Sequence, residues 1–148
     1  MKAFKVILAV LLTLAVTAGA VLLIFTYEMR WKVTDVDRST APDGVHTVVL
    51  KAKGEAEFPF GPAPGHLVLK EGKKTLAKAD FCVYDDGGSL RHESWEVRWE
   101  DGFVLVLLHG DEQNDDLVVL YFDGAVDKRT LNQRGETFPE SIPILMPE

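Results

Sequence analysis

Four histidines, two acidic runs, a histidine flanked by serines and one cysteine carry most of the reactive chemistry available to this chain. His46, His66, His92 and His109 are separated by 20, 26 and 17 positions. Recurrent zinc motifs place two ligands within a helical turn or a tight loop, as in HExxH, and no such pair occurs here. The spacing therefore predicts four separate turn or sheet-surface histidines, which could share a metal only if the fold gathered three of them. Asp85 and Asp86, and the run containing Asp111, Glu112, Asn114, Asp115 and Asp116, offer the oxygen ligands that calcium takes. Neither run has the ligand order and obligatory glycine of an EF-hand loop, so solvated acidic turns are expected. No cofactor is predicted; these turns could serve a hard cation such as calcium.

Ser89 and Ser94 lie near His92, but no G-x-S-x-G elbow is present to expose a serine at a strand-to-helix turn. Nearness in sequence does not align a hydroxyl, an imidazole and a carboxylate for proton transfer. Cys82 is the single cysteine, set between Phe81 and Val83 in an alternating apolar run. It reads as a buried structural thiol and permits no intrachain disulfide or thiolate cluster. The phosphate-cradling P-loop and the Gly-rich dinucleotide fingerprint are absent. No residue is assigned a catalytic role. The candidate interaction surface is aromatic instead: Phe58, Phe60, Trp95 and Trp99, with core packing the competing role for each tryptophan.

Charge and hydropathy set where these residues must work. All 23 acidic residues lie at or after Glu28, whereas Lys2 and Lys5 precede it; the remainder carries 14 Lys or Arg and a formal charge of −9. Such a surface repels polyanions, so nucleic acid is not an expected partner. Val6 to Tyr27 is uncharged and almost wholly apolar. As a helix it would span about 33 Å, matching a hydrocarbon core of about 30 Å. Tyr27 and Trp31 suit the interface, and Glu28, Arg30 and Lys32 end the apolar run. Ala18-Gly19-Ala20 has the form of a signal-peptidase site, but cleavage there would leave Val-Leu-Leu-Ile-Phe exposed. A retained anchor over residues 1–30 is therefore expected. The basic residues on its two flanks nearly cancel as a guide to orientation. The very short N-terminal tail favours N-inside, placing the following domain outside the cytoplasm.

Beyond the anchor, residues 31–128 read as one β-domain, followed by a tail at 129–148 that either docks or stays unstructured. Trp31 to Val36 reads as a short strand or a stem, and Ala41-Pro42-Asp43-Gly44 as a turn. Strands are expected at His46–Lys53, His66–Lys70 and Thr75–Tyr84, with the proline-rich stretch 55–65 as a loop or irregular edge. In the third of these, alternation sets Ala77, Ala79, Phe81 and Val83 on one face and Lys78, Asp80, Cys82 and Tyr84 on the other. Trp95, Val97 and Trp99 alternate with Glu96, Arg98 and Glu100, and Asp101-Gly102 then turns the chain into Phe103–Leu108. That last segment is apolar on both faces, which predicts a central strand covered on both sides. Leu117–Phe122 and a short strand at Ala125–Val126 complete a meander of six or seven antiparallel strands. The fold class is mainly β: a transmembrane helix followed by a small antiparallel sandwich or partly open barrel.

The hydrophobic N-terminal segment, Ala41-Pro42-Asp43-Gly44 before a strand, and Phe58-Pro59-Phe60-Gly61 before the next hairpin carry a resemblance. On these features the chain resembles uncharacterised single-pass membrane-anchored β-domain proteins of Gram-positive bacteria. The Ala-Pro-Asp-Gly turn is also similar to strand-leading turns of propellers, but no blade repeat occurs here. The resemblance carries no catalytic residues across. The tether and the loops and edges of a compact sheet point to a non-enzymatic membrane-tethered interaction or cell-envelope domain, with the membrane and an envelope protein or peptide as expected partners. A small membrane-anchored hydrolase and a calcium-binding extracytoplasmic module are the alternatives.

Overall fold

The computed structural model describes residues 2–55, 61–84, 88–110, 113–132, 134 and 138. Helix α1 runs from Lys2 to Arg30 with no buried residue, and its large apolar side chains from Phe4 to Tyr27 are exposed. Exposed Leu, Ile, Val and Phe around a whole helix suit lipid and are costly in water. α1 is long and apolar enough to cross a membrane once, and a β-rich domain follows it. Thr13, Thr17 and Thr26 return their hydroxyls to carbonyls four residues earlier, which satisfies these three donors within the helix.

Eight strands follow: β1 (Val33–Thr40), β2 (His46–Lys53), β3 (Pro62–Glu71), β4 (Lys74–Tyr84), β5 (Trp95–Glu100), β6 (Phe103–Leu108), β7 (Asp116–Tyr121) and β8 (Val126–Thr130). They form two four-stranded antiparallel meanders, β1-β2-β3-β4 and β5-β6-β7-β8, stacked as an open sandwich. The count exceeds six or seven because both polar outer strands are complete. β1 runs to Thr40 rather than ending as a stem, and β8 extends to Thr130. An edge strand can pair through its backbone while showing little apolar alternation.

Between the sheets pack Val48, Leu50, Leu67, Leu69, Phe81, Val83, Trp95, Val104, Val106, Leu108, Val118 and Leu120. The alternation expected in β4 holds: Ala77, Ala79, Phe81 and Val83 are buried, while Lys78, Asp80, Cys82 and Tyr84 are not. β6 is covered on both faces, as its composition requires. On its outer side Leu105, Leu107, Leu117 and Val119 form a second cluster, against which Leu131 and Phe138 pack.

The proline-rich stretch departs from expectation in one respect. Pro62 and Pro64 belong to β3, an inner strand of its sheet. They pair only with Tyr84 and Cys82 of β4, because β2 reaches no further along β3 than Ala52 opposite Gly65. The missing amides therefore fall where β3 has a single neighbour. At Gly65 any Cβ would stand 2.7 Å from Lys51 O and 2.8 Å from Leu90 Cδ1, which keeps this position glycine.

The end of α1 is fastened to the sandwich rather than linked by a free tether. Gly54 N donates to Lys32 O (2.7 Å) and Glu55 N to Met29 O (2.9 Å). These bonds satisfy carbonyls at the helix end, and Gly54 adopts φ +70° to deliver them.

Candidate functional site

The candidate site lies where the sandwich is left unclosed. β1 and β5 are both edge strands, and among the described residues no backbone hydrogen bond joins them. Side chains bridge them instead. A β-bulge at Val36 shifts the β1 register between Asp35 and Asp37, so that Asp37 opposes Leu50 and Ser39 opposes Val48. Leu50 and Val48 point into the core, and the bulge turns Asp37 and Ser39 towards the same side. Trp95 Nε1 donates to Asp37 Oδ2 (2.9 Å) and Trp99 Nε1 to Ser39 Oγ (3.0 Å). A buried or half-buried indole needs an acceptor for its one donor, and these two carry the indoles across the seam.

Outside this bridge runs a cleft of about 690 Å³, lined on one side by Asp37 to Thr40 and on the other by His92 and Trp95 to Arg98, with Phe138 at its margin. Just past the end of β1 at Ala41, and beside Trp99 of β5, a second cleft of about 470 Å³ opens at the end of the sandwich away from α1. Its walls include Asp43, Trp99, Glu100, Asp101, Phe103 and Phe122. Arg98 Nε stands 3.2 Å from Glu100 Oε1, an ion pair by distance that lacks hydrogen-bond alignment. The Arg98 guanidinium also lies 5.0 Å over the Phe138 ring.

The four histidines do not converge; each meets its own aspartate through Nδ1. The pairs are His46–Asp43 (2.5 Å), His66–Asp80 (2.6 Å), His92–Asp37 (2.5 Å) and His109–Asp115 (3.1 Å). Among the described residues no group of three or more His, Cys, Asp or Glu could hold a metal ion. His92 holds the Asp37 carboxyl below the usual carboxylate range, helped by the Trp95 indole and the Arg38 amide and opposed by partial burial. The same bond raises His92 above the ordinary imidazole value. Asp43 is lowered to about 2 by His46, whose ring and amide both reach it, and by the Val45 amide. His66 likewise lowers Asp80.

Of the residues singled out by sequence, Trp95 is 5% exposed and belongs to the inter-sheet core, although its edge reaches the first cleft. Trp99 is half-buried and lines the second. Phe58 and Phe60 lie outside the described residues, as do Asp85, Asp86, Asp111 and Glu112. Asp115 and Asp116 depart from the solvated turn expected of them, being 0% and 8% exposed. Asp115 faces His109, while Asp116 accepts from Thr130 Oγ1 (2.7 Å) and pairs with Lys128 Nζ (3.0 Å), which fastens β8 to β7. The Ser94 hydroxyl accepts from the Arg91 amide (3.0 Å) and is buried, while the His92 ring bonds to Asp37. Cys82 is half-buried on the outer face of β4, not in the core.

Asp37, Ser39 and Phe122 were not apparent from sequence as parts of a site. The only signal was the Asp35-x-Asp37-x-Ser39 alternation in β1, whose phase is reversed by a bulge that no residue type there demands.

Fold and site together define an antiparallel β-sandwich, preceded by an apolar helix long enough to span a membrane, with an unpaired seam between two edge strands. No protein family, curated protein or solved structure matches the chain.

Proposed function

We propose that the protein is a membrane-tethered, non-enzymatic interaction domain of the cell envelope that takes an extended peptide segment into the β1/β5 seam. The observation that carries this reading is the pair of edge strands held side by side without a shared backbone ladder, with a cleft of about 690 Å³ between them. An edge strand presents unpaired amides and carbonyls, and an extended segment can satisfy them while its alternate side chains enter the flanking clefts. The indole bridges behind the cleft keep the two edges apart in advance, which reduces the ordering cost of binding.

In this reading α1 is an uncleaved signal-anchor with its N-terminus inside, so the sandwich works extracytoplasmically and close to the membrane. The short connection through Trp31 and Lys32, and the fastening of the helix end at Gly54 and Glu55, support work near the bilayer.

The test is site-specific photocrosslinking in native membranes. A crosslinker at Thr40 or Val97 should capture a discrete partner, and the same group at Lys78 on the outer face of β4 should not. Equal capture from both faces, or from neither, overturns the seam as the binding surface. Protease accessibility of the sandwich in intact cells tests the topology separately.

A further inference from the structure

We infer that the distal cleft is a receptor for a basic side chain, lysine or arginine, carried by the extended peptide in the seam. This rests on the proposed function for the peptide but has its own geometry. The cleft has the volume for one long side chain, about 470 Å³, and two aromatic rings of the inter-sheet side among its walls, Trp99 and Phe122; Phe103 also lines it, with its side chain packed on the outer β6–β7 cluster. Trp99 and Phe122 meet at 55° with ring centroids 6.4 Å apart, so their faces are not parallel and bound one corner of the cleft. Phe122 is braced from behind by the His46 ring, stacked at 3.9 Å.

Three carboxylates join the rings: Asp43, Glu100 and Asp101. His46 partners Asp43 and Arg98 stands near Glu100, whereas Asp101 pairs with no cation among the described residues. Aromatic faces and carboxylates both attract a cation, and the apolar stem of lysine or arginine packs on the rings while its head remains near the acids. An anion would meet like charge, and a purely apolar side chain would bring no cation to Asp101. The −9 formal charge of the chain beyond the helix adds long-range attraction for a basic segment.

The seam directs such a side chain here. Thr40 and Arg98 line the first cleft, and their immediate successors Ala41 and Trp99 line the second. A strand laid along β1 or β5 therefore brings one of its side chains over the distal cleft.

The experiment uses the full chain in neutral-detergent micelles and three blocked probes. These are a single lysine with both ends capped, an extended heptapeptide with a central lysine, and the same heptapeptide with norleucine in its place. The lysine heptapeptide should bind about tenfold more tightly than the norleucine one, shifting the ring resonances of Trp99 and Phe122. That advantage should vanish in the Glu100→Gln/Asp101→Asn double variant and shrink with added salt. Equal binding of the two heptapeptides overturns the cation preference and leaves the seam intact. Ring shifts with capped lysine, but no binding of either heptapeptide, would uphold the cation site and overturn the seam. No response to any lysine probe overturns both.

Discussion

The indole of Trp95 and the carboxylate of Asp37 meet at 2.9 Å although they belong to edge strands of different sheets, 58 positions apart in sequence. The contact exists because one extra residue at Val36 turns Asp37 inwards. Without that bulge Asp37 would face outwards with Asp35, which pairs with Lys51. The bulge thus converts one strand of alternating acids into an outward ion pair and an inward acceptor.

Removing the acceptor should cost more than an ordinary surface change. Asp37→Ala leaves the Trp95 indole N–H without its partner next to the core, a loss of about 1–3 kcal/mol. Trp99→Phe, which deletes the bond to Ser39 and leaves behind only a half-buried hydroxyl, should cost about 1 kcal/mol. Denaturant unfolding of the full chain in micelles, followed by tryptophan fluorescence, measures both. A near-neutral Asp37→Ala would show that the bridge does not hold the seam.

The same aspartate sets a pH window through His92. His92 binds its proton more tightly in the folded state, so its contribution is complete below pH 6.5 and disappears as pH rises through its raised value. Asp37 binds its proton less tightly when folded, so its contribution is complete above pH 3.8 and disappears as pH falls through its lowered value. The pair should therefore stabilise most between about pH 4 and 6.5. Subtracting the unfolding temperature of His92→Gln from that of the wild type across pH should give a maximum in this window. Because His92 is exposed, 0.5 M salt should flatten the profile. A flat difference at low salt would show that the pair makes no contribution.

The fold was legible in sequence where burial is one-sided or complete. Trp95-x-Val97-x-Trp99 announced its inward face, and the two-sided apolar run of β6 announced a covered central strand. The outer strands were less legible: β1 and β8 are held by ladders and by pairs such as Asp116 with Thr130, which leave little hydropathy signal. The site was mostly hidden for the same reason. It is assembled from two edges brought together by stacking of the sheets, and its phase depends on a bulge. The four His–Asp pairs show the limit from the other direction. Two, His46–Asp43 and His109–Asp115, are local, while the partners in the others lie 14 and 55 positions apart.

Gly54 should be the most sensitive glycine between the helix and the sandwich. Its φ of +70° disfavours any L side chain, and a Cβ there would run into the Met29 carbonyl, with Arg30 Cα at 3.0 Å. Gly44 has the same φ but open space around it. Gly44→Ala should therefore show the conformational cost alone, roughly 1 kcal/mol, and Gly54→Ala clearly more. Hydrogen exchange at the Gly54 and Glu55 amides gives the specific readout: Gly54→Ala should expose both, whereas Gly44→Ala should leave them protected. Equal effects of the two substitutions would mean that the helix end is not fastened there.

The outer face of β6 and β7 supplies the last test. Leu105, Leu107, Leu117 and Val119 are at most 1% exposed although they point away from the inter-sheet core, and Leu131 and Phe138 pack against them. An apolar face of this kind, uncovered, would offer an aggregation surface. Ending the chain after Thr130 should raise binding of an apolar fluorescent dye to the sandwich and lower its unfolding temperature, while β-sheet circular dichroism persists. Leu107→Ala in the full chain should cost about 2–5 kcal/mol, as for a core leucine. If the shortened chain bound no more dye than the full one, residues beyond β8 would not be what covers the sheet. The leucine substitution separates the cases, since a face that is truly closed carries a cavity cost whatever closes it.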